Sequence, residues 1–95
     1  MTGVQTCALP ISSMELAKEE LEKISEELLD KVSANVARIR QERGYSQLRL
    51  ALEIGLSGAA YLGRMEIRAK NHRFNLEHIA KIAKVLDVEI TEFFK

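Results

Sequence analysis

Little in this chain lends itself to covalent cross-linking, metal capture or membrane insertion. It holds one Cys (Cys7), one Pro (Pro10) and no Trp. A single Cys closes no internal disulfide, and Cys7 falls in a leading segment read below as non-native, so neither a disulfide framework nor thiol chemistry is expected. The two histidines, His72 and His78, have no Cys and no His-x-x-x-His partner at chelating spacing, so no metal is expected. No Ser/His/Asp set, Gly-rich phosphate loop or paired acidic motif appears, and neither catalysis nor a cofactor is expected. No apolar run approaches the roughly 20 residues that span a bilayer, so no membrane partner is expected. Strand-period alternation, internal repeats and low-complexity segments are also missing. What remains is a 95-residue chain with 46% hydrophobic residues, enough for one domain with a small core.

Net charge is zero, but the charges are unevenly placed. Residues 14–35 hold three Lys and seven Asp or Glu, a net −4. Residues 36–74 hold eight Lys or Arg and three Glu, a net +5. Residues 75–95 hold three Lys and four acids, a net −1. An acidic leader followed by a basic block is a pattern to set beside any motif found in the block.

Residues 1–12 stand apart. They show no helical or strand period, and without a charged leading segment they make a poor signal peptide. Translated back into one permitted choice of codons, Thr2 to Ile11 resembles the end of a common sequencing-library adapter. Residues 1–12 are therefore read as a non-native segment, with the natural chain starting at Met14 or at residues missing upstream.

From Ser12 or Ser13 a long helical stretch begins, with Ser12 and Glu15 at capping-box spacing. Met14, Ala17, Leu21, Ile24 and Leu28 alternate by three and four, the seam of a coiled coil. Residues 13–29 are thus expected to form an N-terminal helix suited to dimerisation. After Leu29 the stripe shifts to Val32, Val36 and Ile39. That shift, with Asp30 and Ser33 beside it, points to a break or kink before a second helix that Gly44 ends, with one continuous helix as the alternative. Further on, Asn75 is placed to cap a helix whose buried face is Leu76, Ile79, Ile82, Ala83 and Leu86. Thr91 is placed to cap a last turn carrying Phe93 or Phe94 to the core.

The run between them is the most specific. Ser46 and Ser57 are N-caps for two short helices, and Gly55 can take the left-handed conformation that stops the first. Ala51 is small where the helices must approach. Leu50, Ile54, Leu56, Leu62 and Met65 supply the inner side. The second helix is then left on the outside, able to enter a DNA major groove.

From Val36 to Phe94 the chain resembles the Cro and phage-repressor type of helix-turn-helix domain, the XRE-like family. The resemblance is carried by Ile39-Arg40, Arg43-Gly44, Ser46-Gln47, Leu50-Ala51, Gly55-Leu56-Ser57, Tyr61-Leu62-Gly63-Arg64 and Glu66. The run Ile79 to Val88 and Phe93-Phe94 also carry it. It implies an all-α, five-helix repressor-like domain over residues 30–95, preceded here by an extra N-terminal helix. It also implies a sequence-specific transcriptional regulator, in the cytoplasm of a bacterium or phage host, binding double-stranded DNA as a homodimer. Three departures are visible. One extra residue lies between Gly55 and Tyr61, Ile67-Arg68 replaces the usual Arg-Gly, and the loop to Leu76 is about two residues longer.

Carried onto this chain, the resemblance implies these roles. Gln47 contacts a phosphate and braces the reading helix. Ser57, Ala59, Ala60, Tyr61 and Arg64 line the DNA side of that helix. Arg64 alone can grip guanine with two hydrogen bonds, and Ala can only touch a thymine methyl. Arg68, Lys70 and Arg73 approach the sugar-phosphate backbone, and Arg40 pairs with Glu66 to lock the reading helix to its scaffold. The alternative reading is an antitoxin or protein-interaction module on the same scaffold. The sparse Gly58-Ala59-Ala60 segment and the loss of the Gly that usually follows Glu66 favour it, while Leu48, where the family is usually polar, is open to the N-terminal helix or a second subunit. The basic block opposes it.

Overall fold

The computed structural model describes residues 11–95, with side chains from Ala17 onward. The reading of residues 1–12 as non-native, with Cys7 and Pro10, falls outside the described residues but for the backbone of Ile11 and Ser12. The Ser12–Glu15 cap and the Met14 end of the seam fall outside the described side chains. Four α-helices and two 3-10 turns make up the described chain: α1 (Ile11–Glu42), α2 (Gln47–Glu53), α3 (Ala59–Glu66), a turn over Ala69–Asn71, α4 (Leu76–Leu86) and a turn over Ile90–Phe94. The all-α class holds, but the five-helix count does not.

The difference lies in α1. It is one continuous helix of 32 residues, about 48 Å long, with no break after Leu29. Neither Gly nor Pro occurs within it, so nothing interrupts its hydrogen-bond ladder. The shift of the apolar stripe is a rotation of the helix face that meets the core. Val32, Ser33, Val36, Ile39 and Arg40 turn inward. One turn and more upstream, Leu21, Ile24 and Leu28 are exposed. The first half of α1 is an arm that projects from the domain; the second half is part of its centre.

Around that centre, Leu50 and Ala51 of α2, Leu62 and Met65 of α3, Ile79, Ile82, Ala83 and Leu86 of α4, and Phe93 close a single core. Gly44 and Gly55 end α1 and α2 with φ of +78° and +92°, values that other residues adopt at a cost. Ser46 caps α2 by accepting a bond from the Arg49 amide. Asn75 caps α4, and His78 completes a capping box by accepting from the Asn75 amide. The last turn starts after Glu89, so Thr91 lies inside it and caps nothing. Phe93 is buried, Phe94 remains partly exposed, and the Phe93 carbonyl accepts a 2.9 Å bond from the Asn35 side chain of α1.

Candidate nucleic-acid interface

The register of α3 is set from inside. Leu62, Met65 and Glu66 face the core, which leaves Ala60, Arg64 and Ile67 on the outer side at steps of four and three. The cap of α3 is not the expected one. Gly58 occupies the N-cap position and offers no side-chain bond, while Ser57 stands exposed one residue earlier. Ser is a favoured N-cap residue, but the burial of Leu62 and Met65 fixes where the helix must begin.

Arg40 anchors this helix. Its Nε donates to one Glu66 carboxylate oxygen at 2.7 Å and a terminal nitrogen donates to the other at 3.2 Å. A third bond runs to the Tyr45 carbonyl at 2.8 Å. Both side chains of the pair are nearly sealed from water, 8% and 3% exposed. Gln47, at the start of α2, adds a 2.9 Å bond from its amide to the same Glu66 oxygen. Its side chain also rests on Gly63, where a Cβ would lie 3.5 Å away. Three residues far apart in sequence thus hold α3 at a fixed tilt on α1 and α2. A forked guanidinium–carboxylate pair is suited to this because it fixes direction as well as distance.

The small residues Gly58, Ala59 and Ala60 lead the outer surface of α3. Ala60 is exposed and Ala59 partly so. Such a helix start lets a ligand come close to backbone N–H groups, which favour anions. Arg64 is exposed on the same side, and so is Ile67, 78% exposed, a residue the family pattern did not single out. Tyr61 sits at the flank. Its ring meets His72 edge-on at 5.6 Å and His78 at 6.4 Å, and His78 meets Phe74 at 6.3 Å. This aromatic group joins α3, the following loop and α4. Burial pushes the His78 imidazole below its ordinary range, which suits a neutral ring accepting the Asn75 amide.

The loop after α3 departs from expectation at Arg68. Instead of pointing to solvent, its side chain is 8% exposed and bonds to two carboxylates of the arm, Glu26 at 2.9 Å and Asp30 at 3.1 Å. Its Nε donates to the His72 carbonyl at 3.2 Å and so closes the loop on itself. In this arrangement the Arg68 guanidinium is engaged within the molecule. Lys70 and Arg73 are exposed. Arg73 lines an open groove with Lys18, Leu21, Glu22, Ser25 and Glu26 of the arm. Among the described residues no cluster of His, Cys, Asp or Glu is arranged to hold a metal. No described helix is long and apolar enough to cross a membrane.

Nothing matches the chain among curated proteins or among solved structures. A model of the Helix-turn-helix family matches residues 36–93, well over half the chain and the whole region that carries the braced helix. That family is one of DNA-binding, transcription-regulator-type domains. By this match and by the geometry of α2 and α3, the chain belongs to the helix-turn-helix family of the Cro and phage-repressor type.

Proposed function

We propose that the protein is a sequence-specific, repressor-type transcriptional regulator that binds double-stranded DNA as a homodimer in a bacterial or phage-infected cytoplasm. The observation that carries this reading is the outer side of α3. Ala60, Arg64 and Ile67 face away from the core on a helix held by Arg40, Glu66 and Gln47. The helix reads base edges through Arg64, and Lys70 and Arg73 hold phosphates. Gln47 faces its phosphate from the start of α2. Ser57, Ala59, Ala60 and Tyr61 lie along the approach to the groove. One such domain makes few base contacts. Two domains on a two-fold site double them at a half-site spacing of about 34 Å.

The arm supplies a surface for the second copy. Leu21, Ile24 and Leu28 are 66%, 60% and 44% exposed and lie on one stripe. An isolated stripe of this length gives weak association, strengthened when DNA holds both copies. Sedimentation at tens of micromolar should show a dimer that the Leu21→Glu, Ile24→Glu double variant loses. A monomeric wild type would refute the assignment. DNA binding itself is tested by fluorescence anisotropy with mixed-sequence duplex over a salt series. A steep slope supports the reading, and selection from a random DNA pool then yields the operator.

A second reading keeps the scaffold and changes the partner. The outer side of α3 offers one cation, two alanines and the exposed Ile67, and Leu48 on α2 is 52% exposed. Those features suit an antitoxin or adaptor that docks on protein. A flat salt response with mixed-sequence DNA would select it.

A further inference from the structure

Arg68 is the place where the backbone and the side chain disagree. Its φ is +56°, in the left-handed region, and Lys70 and Asn71 follow at +52° and +63°. Such a conformation disfavours residues with a Cβ by about 1 kcal/mol or more. Glycine suits it, yet the chain carries Arg. The side chain must therefore contribute something at this position that glycine would not.

Its environment shows what. Three bonds occupy the guanidinium: one to Glu26, one to Asp30 and one to the His72 carbonyl. Glu26 and Asp30 are four residues apart and share a face of the arm, and Glu22 continues it one turn upstream beside Arg73. A line of carboxylates thus lies along the loop whose cations face the phosphate backbone. The two carboxylates are 52% and 69% exposed, while the arginine is 8% exposed. Both acids can return to water at little cost, whereas the nearly sealed guanidinium needs an anion in their place, so the contact exchanges only against another anion.

We propose that the acidic face of the arm is an internal competitor for DNA phosphate: Glu26 and Asp30 occupy Arg68 in the free protein and set the affinity by having to be displaced. This rests on the DNA-binding reading above and deepens it. The chain holds its own surrogate for one phosphate per subunit, on a helix that extends beyond the family domain. Binding DNA through Arg68 then requires breaking the Glu26 and Asp30 contacts and leaving both acids to water.

The experiment is a cycle on the full chain with a mixed-sequence 30-base-pair duplex. The variants are E26Q/D30N, R68G and the triple E26Q/D30N/R68G, with E20Q/E27Q as a charge-matched control outside the contact. R68G removes the cation while suiting the left-handed backbone, so the loop folds; thermal melting checks each variant. E26Q/D30N should bind roughly five- to tenfold tighter at 0.1 M salt, with Arg68 on its phosphate in both complexes. The triple variant should lose that gain, and the control should show much less of it. An E26Q/D30N affinity equal to or below wild type, or a gain that survives R68G or appears equally in the control, overturns the competitor. No binding by wild type or any variant overturns the DNA-binding reading with it, whereas binding by wild type without the gain overturns the competitor alone.

Discussion

Two arginines fasten this molecule, one in each half of α1's neighbourhood. Arg40 and Glu66 meet inside the domain, both hidden from water. Arg68 meets Glu26 and Asp30 on the outside, where the acids remain largely hydrated. The bonds have similar lengths. What differs is the alternative open to each partner when the bond breaks. Glu66 would be left charged and nearly sealed from water, whereas Glu26 and Asp30 would simply be solvated. The first contact is closed to water on both sides, the second on the arginine's side only.

The comparison breaks most visibly at Arg40. Arg40→Ala should cost about 3 kcal/mol, because it strands a buried carboxylate and also frees the Tyr45 carbonyl and unbalances Gln47. Chemical denaturation measures it. An unchanged melting temperature would mean that the two arginines are equivalent after all.

Arg64 gives the comparison a third member, exposed on the outer side of α3. Arg64→Ala should leave stability within about 0.5 kcal/mol. It should relax preference at one base position per half-site by about 1–3 kcal/mol. Arg73→Ala should weaken binding to all sequences alike and lower the salt slope by about 0.9 per subunit. If both variants show the same sequence-independent loss, Arg64 is not a reading residue.

Arg68→Gly should lower stability by less than about 1 kcal/mol, since its partners are exposed and glycine relieves the backbone. A loss like that of Arg40→Ala would erase the distinction drawn above. The smallest effect is expected from deleting residues 1–12, which should shift stability by under about 1 kcal/mol and leave DNA affinity unchanged. A larger loss would show that this segment packs.

The contrast between the clasps also marks where the sequence was readable. Ser46, Gly55 and Asn75 act through their immediate neighbours, so their capping and turning roles are visible in the residues themselves. Leu62 and Met65 were legible as core by their spacing. The continuity of α1 was not. A shifted stripe looks the same whether a helix breaks or merely turns a new face to its surroundings, and only the tertiary contacts of Val32 and Ser33 decide. That one ambiguity hid the partners of Arg68. Glu26 and Asp30 reach the loop only because the arm runs straight on from the core, 38 to 42 residues away in sequence. The edge-on group of Tyr61, His72, His78 and Phe74 was hidden for a similar reason, since it depends on how the left-handed loop returns to α4. Local preference favours Ser57 over Gly58 as a cap, but core packing sets the frame.

The bracing of α3 has a consequence for how such a protein can be altered. Arg40, Gln47 and Glu66 define the tilt of the helix without using any side chain of its outer surface. Ala60, Arg64 and Ile67 can therefore be exchanged as a set, as one changes the bit in a chuck, while the chuck stays closed. A library randomised at those three positions should keep near-parental melting temperatures and scatter its preferences among DNA sites. The same library built at Gln47 and Glu66 should scatter its melting temperatures instead. The outer surface is an interchangeable part, and the arginine that makes it so is hidden from water behind it.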